Sequence, residues 1–400
     1  MPYSVLHERL ETILSLLGDK ELRRALERAV RNAEGKHLAL LERYPYLEAL
    51  RRRAKRAGDA FLERPEELVE EAMESIRRNH GTPHLARTPE EAREAVLRIA
   101  ERTGGPVVIS KSMVAEEVGL RRALEEAGLE AWETDLGELL VQLERGRPMH
   151  TTAPAIHMTV ERARRLVRER LGLELSEDAG PEEIVAAVRR FLREKFTSAR
   201  LGVSGANSIA ADTGTIVLVE NEGNIRLVTG LPPVHVVITG VDKVVPTMED
   251  AVAVALVQAA WAGLYPPTYL NLITGPSSTA DIEHHRVYGA HGPRELHVIL
   301  VDNGRLRAAR QDPLRWQLRC IRCGRCQWEC PVWRETANHW GGPVYGGPMG
   351  MGWTAITHSL REAAELSLLC LGCARCDEVC PVEIPLSSII RWLKSRAHQG

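Results

Sequence analysis

The sequence predicts a mostly parallel α/β domain, preceded by a helical region and followed by a small, helical, cysteine-rich domain. Apolar residues recur at helical spacing near the N-terminus, as at Leu6, Leu10 and Ile13. From about residue 81, β-branched runs alternate with helical segments, which is typical of a parallel sheet. All eight cysteines lie between Cys320 and Cys380. We therefore expect three parts: residues 1–80, 81–305 and 306–400.

The cysteines form two copies of one motif, C-x2-C-x2-C-x3-C-P. The copies are Cys320, Cys323, Cys326 and Cys330, then Cys370, Cys373, Cys376 and Cys380. This spacing is typical of bacterial ferredoxins, in which each fourth cysteine binds the other cluster. The motif therefore predicts a ferredoxin-like domain with two [4Fe–4S] clusters. The predicted ligand sets are Cys320, Cys323, Cys326 and Cys380 for one cluster, and Cys370, Cys373, Cys376 and Cys330 for the other.

Two other roles for the cysteines are less consistent with the sequence. Structural zinc sites use paired C-x2-C units, but their usual spacing does not repeat a triplet followed by a delayed Cys-Pro. Disulfides suit small secreted chains, whereas this chain is large and begins without a signal-peptide pattern. Iron–sulfur clusters therefore explain the motif best.

Composition narrows the function classes. The formal net charge is −2, so no strong field gathers nucleic acid or anionic lipid. No apolar run approaches the roughly 20 residues that a membrane-spanning helix needs. We expect a cytoplasmic protein without a transmembrane segment and without a nucleic-acid partner.

The elements are predicted in chain order. The first part should contain helices near Glu21–Ala33, Leu47–Phe61 and Pro65–Arg78. In the second part, helices are expected at about 88–102, 160–171, 181–196 and 248–262, the first opened by a capping box at Thr88. Apolar runs predict strands at 106–110, 129–135, 215–219, 234–239, 269–273 and 296–301.

A long connection separates Cys330 from Cys370. It contains the glycine-rich stretch 339–353 and a predicted helix at about Ala355–Leu369. The glycine-rich stretch either shields a cluster or faces a partner protein, and the sequence does not decide between these.

Polar residues gather at both ends of the predicted strand 215–219. They are Asn207 and Thr215 before or at its start, and Glu220, Glu222 and Asn224 after it. Open α/β sheets bind ligands at strand ends, so these residues are candidates for a ligand site. The alternative is a simple turn, since Asn-Glu-Gly-Asn is favourable turn chemistry.

Ser277 and Ser278 extend the candidate site. They follow a predicted strand and a Gly-Pro turn, and acidic residues come next, which predicts the first turn of a helix. Free N–H groups at such a start bind anions, whereas the alternative is plain capping by the hydroxyl groups. No Walker A or G-x-G-x-x-G motif is present, and no two histidines form a zinc-binding H-E-x2-H frame.

Several of these stretches resemble the LUD domain of lactate-utilisation proteins. They are Ser110–Met113, Glu133–Glu138, Pro154–His157, Gly205–Asn207, Thr213–Thr215, Glu222–Asn224, Leu231–His235, Gly275–Ser277 and His291–Leu296. With the double cysteine motif behind it, the chain resembles the LutB-type (LldF-type) iron–sulfur proteins from about residue 40 to 390. The resemblance implies a fold grouped with sugar isomerases and CoA transferases.

The resemblance also implies a function and partners. The chain would be an electron-transfer subunit that acts in L-lactate oxidation to pyruvate, with a cysteine-rich LutA-like protein and a LutC-like LUD protein as partners. The resemblance does not identify which residues of this sequence would be catalytic. The alternative is that the LUD domain itself is an enzyme or sensor that binds a small acid or a CoA ester, with Glu220 or Glu222 as a nucleophile by analogy with the fold.

Overall fold

The computed structural model describes residues 4–397, without the side chains of residues 4, 21 and 33–38. It confirms the predicted fold class, because a mostly parallel sheet with flanking helices is followed by a helical, cysteine-rich segment. The predicted boundaries near residues 80 and 305 stay predictions, and residues 1–3 and 398–400 lie outside the described part.

Four helices precede the sheet: α1 (Ser4–Leu17), α2 (Lys20–Arg43), α3 (Leu47–Glu63) and α4 (Pro65–Arg78). Helix α4 shows why this segment is helical. Pro65 occupies its first turn, where a missing N–H costs nothing. Glu66 in the first turn and Arg78 in the last complement the helix dipole.

The main sheet is parallel throughout. Within residues 4–397 its strands are β1 (Thr82–Ala86), β2 (Val107–Ile109), β3 (Ala131–Glu133), β4 (Leu201–Ser204), β7 (Val234–Gly240) and β12 (Glu295–Val301), in the order β1-β12-β7-β4-β2-β3. The sequence analysis missed β1 and β4. Pro83 in β1 and Gly202 in β4 weaken the strand pattern. Gly202 is needed because a Cβ there would lie 1.9 Å from the carbonyl oxygen of Val228.

A second, mixed sheet packs beside the first. It consists of β5 (Ser208–Ala210), β6 (Ile216–Glu220), β8 (Val244–Val245) and β9 (Tyr269–Ile273), in the order β8-β5-β6-β9. Strands β10 (Ser278–Thr279) and β11 (Val287–Tyr288) form a separate small hairpin. The predicted helix after Ser278 is therefore wrong, because this segment pairs as a strand.

Within the described residues, nine further α-helices lie between residues 89 and 309. They are α5 (Pro89–Thr103), α6 (Met113–Glu117), α7 (Leu120–Glu126), α8 (Leu136–Glu144), α9 (Val160–Leu171), α10 (Pro181–Ser198), α11 (Asn224–Gly230), α12 (Met248–Trp261) and α13 (Arg305–Ala309). Side-chain caps begin several of them: the Oγ1 of Thr88 accepts from the backbone N–H of Glu91, as the predicted capping box requires.

The cysteine-rich segment is built from short helices. They are α14 (Arg325–Trp328), α15 (Pro331–Thr336), α16 (Gly347–Thr357), α17 (Leu360–Ser367), α18 (Arg375–Glu378) and α19 (Leu386–Lys394). The single helix predicted at Ala355–Leu369 is instead two helices, separated near His358. One apolar core runs from α2 and α3 through the second sheet into this segment. Among the described helices, none is both long and apolar enough to cross a bilayer.

Candidate functional site

Both cysteine motifs fold into the same loop. The residue before the second cysteine has a positive φ in each copy, 58° at Arg322 and 72° at Gly372. The residue after the second cysteine also has a positive φ in each copy, 75° at Gly324 and 58° at Ala374. A one-turn helix begins directly after each of these two residues. A left-handed conformation costs a residue other than glycine about 1–2 kcal/mol. The same strained shape in both copies indicates that the loops are shaped around a common object.

The cysteines surround two small cavities. Four of them line the first cavity: Cys320, Cys323, Cys326 and Cys380. The other four line the second: Cys330, Cys370, Cys373 and Cys376. Each cavity thus receives three cysteines from one motif and the last cysteine of the other motif. The structure therefore brings together the two predicted ligand sets, although the bonds to iron themselves stay a prediction.

The donor groups fit iron–sulfur clusters. Among the side chains that the structure describes, no three His, Cys, Asp or Glu converge closely enough to hold a single metal ion. Four thiols line each cavity, which is the number of ligands that one [4Fe–4S] cluster takes. Backbone N–H groups also point at sulfur: Gly372 N lies 3.4 Å from Cys370 Sγ, and Ile384 N lies 3.4 Å from Cys380 Sγ. Such hydrogen bonds are typical of cluster-binding thiolates.

Burial strongly raises the pKa of several cysteine thiols. Burial raises the pKa of Cys323 to about 12 and that of Cys380 to about 11, and neighbouring cysteines add to both shifts. Free thiols would therefore keep their protons at neutral pH. Because only thiolates bind iron, assembly of each cluster must release these protons, and the binding energy of the metal contributes to folding.

The two cavities differ in exposure. Cys320, Cys323 and Cys326 of the first motif are buried, whereas Cys373 of the second is exposed. Leu371, beside Cys373, has 71% of its surface exposed. The second cavity therefore lies close to the protein surface.

The glycine-rich stretch 339–353 shields both cavities. Met349 lines the first cavity, with its Sδ 3.7 Å from Cys320 Sγ, and Trp340 lines the second. Tyr345 and Trp353 are also buried. The structure therefore supports the shielding role for this stretch rather than the partner-facing one.

A buried ionic network joins the cysteine domain to the main sheet. Asp242, just after β7, accepts hydrogen bonds from Arg322 Nη1 at 2.8 Å and from Arg305 Nε at 2.6 Å. Arg305 also donates to Glu117 Oε2 at 2.6 Å, and the hydroxyl of Tyr345 donates to the same oxygen. The arginines hold the pKa of Asp242 well below its usual range, although burial alone would raise it. The carboxylates therefore stay ionised inside the protein.

A larger cavity, of about 300 Å³, opens between the two sheets beside this network. Its volume is at the lower end of the range for small-molecule sites. Four of the predicted ligand-site residues line it: Asn207, Glu220, Glu222 and Asn224. The other three do not line it. Thr215 is buried and bonded to Thr213 and Thr274, and Ser277 and Ser278 belong to the β10–β11 segment.

Hydrogen bonds already occupy several of the lining residues. Glu220 accepts from the backbone N–H of Arg226 and from Asn271 Nδ2, both at 3.0 Å. Asn207 Oδ1 accepts from the N–H of Val219 at 2.8 Å. Glu222 lines the cavity with part of its side chain open to solvent, and its Oε2 accepts from the backbone N–H of Leu136 at 3.3 Å. Partial loss of hydration among the groups around the carboxylate and the nearby charge of Asp135 raise the pKa of Glu222 to about 7.

Sequence reasoning did not assign several polar residues of this cavity to the site. Among them are Lys111, Asp135, Thr151, Lys243 and Arg322. Lys111 directly follows the predicted strand 106–110. Its position at a strand end is a sequence feature that could have identified it as a candidate ligand-site residue. Arg322 lies inside the first cysteine motif, and no sequence pattern connects it with the α/β domain.

Comparison with known proteins agrees with this architecture. Residues 69–301 match the LUD domain family, and residues 316–384 match the 4Fe-4S dicluster domain family. The second match confirms the prediction of two [4Fe–4S] clusters.

Curated relatives cover most of the chain. The chain is 35% identical to "Uncharacterized electron transport protein YkgF" of Escherichia coli (strain K12), over 96% of this chain and 79% of that protein. It is 35% identical to "Lactate utilization protein B" of Bacillus pumilus, over 94% of this chain and 77% of that protein. The protein of the same name from Geobacillus sp. is 34% identical, over 96% and 78%. The chain therefore belongs to the lactate utilization protein B family, which joins a LUD domain to a 4Fe-4S dicluster domain.

Proposed function

We propose that this protein is an electron carrier in the oxidation of L-lactate to pyruvate. The observation that carries the proposal is the pair of cavities, each lined by four cysteines and linked by an exchange of one cysteine. One relative is named an electron transport protein and others are named for lactate utilization, which supports both halves of the proposal. Each cluster, when bound, accepts and donates one electron at a time.

The residues of the chain have distinct tasks in this proposal. The cysteines of each cavity hold iron as thiolates, and backbone N–H groups such as those of Gly372 and Ile384 stabilise the charge on sulfur. Met349 and Trp340 exclude water from the two cavities. The exposed second motif, at Leu371 and Cys373, is the side from which a partner protein exchanges electrons.

The proposed setting is the cytoplasm, with a LutA-like cysteine-rich protein and a LutC-like LUD protein as partners. The test is anaerobic purification with these partners, followed by EPR spectroscopy during addition of L-lactate. We expect signals of reduced [4Fe–4S] clusters to appear with L-lactate. If the partners oxidise L-lactate while the clusters stay oxidised throughout, the relay is not part of the reaction.

Matched variants sharpen this test. Cys323→Ser and Cys373→Ser should each lower the iron content by about half, since each removes one ligand of a different cluster. Each variant serves as the control for the other. If both retain the full iron content of the unchanged protein, the assignment of these cysteines to clusters is wrong.

A second function for the LUD domain is favoured by the cavity of about 300 Å³. The domain would bind a small acid or a CoA ester and act as an enzyme or a sensor. Glu220 is tied by two hydrogen bonds, so Glu222 is the better candidate for direct contact with such a ligand.

A further inference from the structure

The cavity between the two sheets has one wall that comes from the cysteine domain. Arg322, between Cys320 and Cys323, lines it together with Lys243, whose Nζ donates to the carbonyl oxygen of Cys320 at 3.2 Å. Lys111 and Thr151 line it from the α/β side. A ligand in this cavity therefore contacts the LUD domain and the first cysteine loop together.

The buried cations at this wall differ in their partners. Arg305 and Arg322 are bonded to Asp242, and Arg305 is also bonded to Glu117. Lys243 donates instead to the carbonyl oxygen of Cys320, and within the described residues no carboxylate is bonded to it. A buried charge without a counter-charge is costly, so this wall favours an additional anion.

Two buried donors of the lining residues have no hydrogen-bond partner within the described residues. They are Thr151 Oγ1 and Arg322 Nε. Thr151 and Arg322 are 3% and 4% exposed, so bulk water does not readily satisfy them. Lys111 also lines the cavity, and its Nζ is paired with Glu138 at 3.3 Å. Buried donors are seldom left unpaired. A ligand or an ordered water in the adjoining cavity would supply the missing acceptor for these two.

The rest of the lining limits what that ligand can be. Apolar side chains such as Met113, Leu218 and Ile225 form part of the wall and suit a carbon skeleton. Asp135 and Glu222 also line the cavity, and their carboxyl groups can accept a hydrogen bond from a hydroxyl group or, when protonated, donate one to a keto group.

We propose that this cavity binds a small organic acid with a hydroxyl or keto group beside its carboxylate. The carboxylate is held by Arg322, Lys111 and Thr151, and the neighbouring oxygen is held by Asp135 and Glu222. This inference rests on the second function proposed above and narrows it to a small acid. A whole CoA ester is too large for about 300 Å³, and most of it would have to lie outside.

The competing explanation is that Arg322 and Lys243 only balance the charge of the neighbouring thiolates. In that case the cavity has no need of an anion, and no carboxylate binds.

Titration calorimetry on the anaerobic, iron-loaded full chain separates the two explanations. The probes are pyruvate and L-lactate, with acetyl-CoA as a large competitor. We expect saturable binding of at least one small acid. We expect binding at least tenfold weaker in Thr151→Val, which replaces the hydroxyl group with a methyl group of similar size, and in Lys111→Met. The control is Arg310→Met, because Arg310 pairs with Glu66 at the exposed surface, away from the cavity; its affinity should equal that of the unchanged protein.

The clusters provide a second measurement. An anion beside Arg322 makes further negative charge near the first cysteine loop less favourable, so the bound acid should lower one of the two midpoint potentials and leave the other unchanged. By reciprocity, the acid then binds the reduced protein more weakly, and each tenfold weakening equals about 59 mV for one electron. The shift should be absent in Thr151→Val.

These outcomes keep this inference separate from the proposed relay. A protein with both clusters that binds neither small acid overturns the site and leaves the relay intact. Binding that Thr151→Val and Lys111→Met do not weaken places the acid elsewhere and also overturns the site. A protein that binds the acid but contains no iron overturns the relay and leaves the site intact.

Discussion

Arg322 Nη1 lies 2.8 Å from Asp242 Oδ2, and both side chains are buried. Arg322 stands between the first two cysteines, whereas Asp242 follows the carboxyl end of β7. This ion pair fastens the first cysteine loop to the edge of the sheet where parallel α/β folds bind ligands. The first cluster site and the LUD cavity are therefore held at a fixed separation.

Asp242→Asn should destabilise the protein strongly. The change leaves Arg305 and Arg322 without their shared counter-charge, and breaking a buried ion pair from one side costs about 3–5 kcal/mol. The measurement is anaerobic urea unfolding, followed by circular dichroism. Glu66→Gln is the control, because its exposed pair with Arg310 contributes at most about 1 kcal/mol. Equal losses in both variants would show that the network is not important for stability.

In the structure, the fourth cysteine of each motif lines the cavity formed by the other motif. This arrangement makes a different prediction from one in which each motif binds its own cluster with all four of its cysteines. Cys380→Ser should resemble Cys323→Ser in its EPR spectrum, because both cysteines line the first cavity. Cys330→Ser should resemble Cys373→Ser, because both line the second. If Cys380→Ser instead resembles Cys373→Ser, each motif binds its own cluster and the exchange is wrong.

The sequence predicted the parts of the molecule that depend on local patterns. The spacing from Cys320 to Cys380 indicated which four cysteines would come together, because the motif itself encodes that geometry. Prediction from local pattern failed at β4. There Gly202 weakens the strand pattern, although glycine is required because the chain passes close to Val228. It failed again after Ser278, where good helix-capping residues form a strand instead.

The ligand cavity shows a different limit. Asn207 and Glu222 were accessible to sequence reasoning because they flank a strand. Arg322 was not, because it reaches the cavity only through the packing of one domain on the other. Such contacts depend on tertiary structure and leave no periodic pattern in the chain.

Oxidation should destroy the two clusters in a fixed order. Cys373 is exposed and Cys370 is partly exposed, whereas the first three cysteines of the first motif are buried. Exposed iron–sulfur thiolates are the more susceptible to oxidants. Samples are taken during slow exposure to air and are reduced again anaerobically before each spectrum, so that only destroyed clusters lose their signal. The EPR signal that persists in Cys330→Ser, which belongs to the first cluster, should outlast the signal that persists in Cys380→Ser. The reverse order would contradict the role of burial in protecting the first cluster.

Binding of a small acid should weaken as the pH rises. Burial and Asp135 raise the pKa of Glu222 to about 7, while Lys111 and the N–H of Leu136 oppose this rise. Glu222 is thus mainly protonated at pH 6 and ionised at pH 8, where its charge repels a bound carboxylate. A repulsion of about 1 kcal/mol corresponds to roughly fivefold weaker binding of pyruvate.

Glu222→Gln provides the control for this pH dependence. Burial also lowers the pKa of Lys243 to about 7, so some loss of affinity should remain in the variant. The difference between the unchanged protein and Glu222→Gln, measured by calorimetry at pH 6 and pH 8, isolates the contribution of Glu222. Identical pH profiles would remove Glu222 from the binding site.

The central claim is that two [4Fe–4S] clusters are held by the eight cysteines of this chain. Iron and sulfide quantitation on anaerobically purified protein, combined with EPR spin counting after reduction, tests it most directly. We predict about eight iron and eight sulfide per chain, and about two spins on full reduction. A colourless protein, or one that contains about two zinc ions and no sulfide, would contradict the claim.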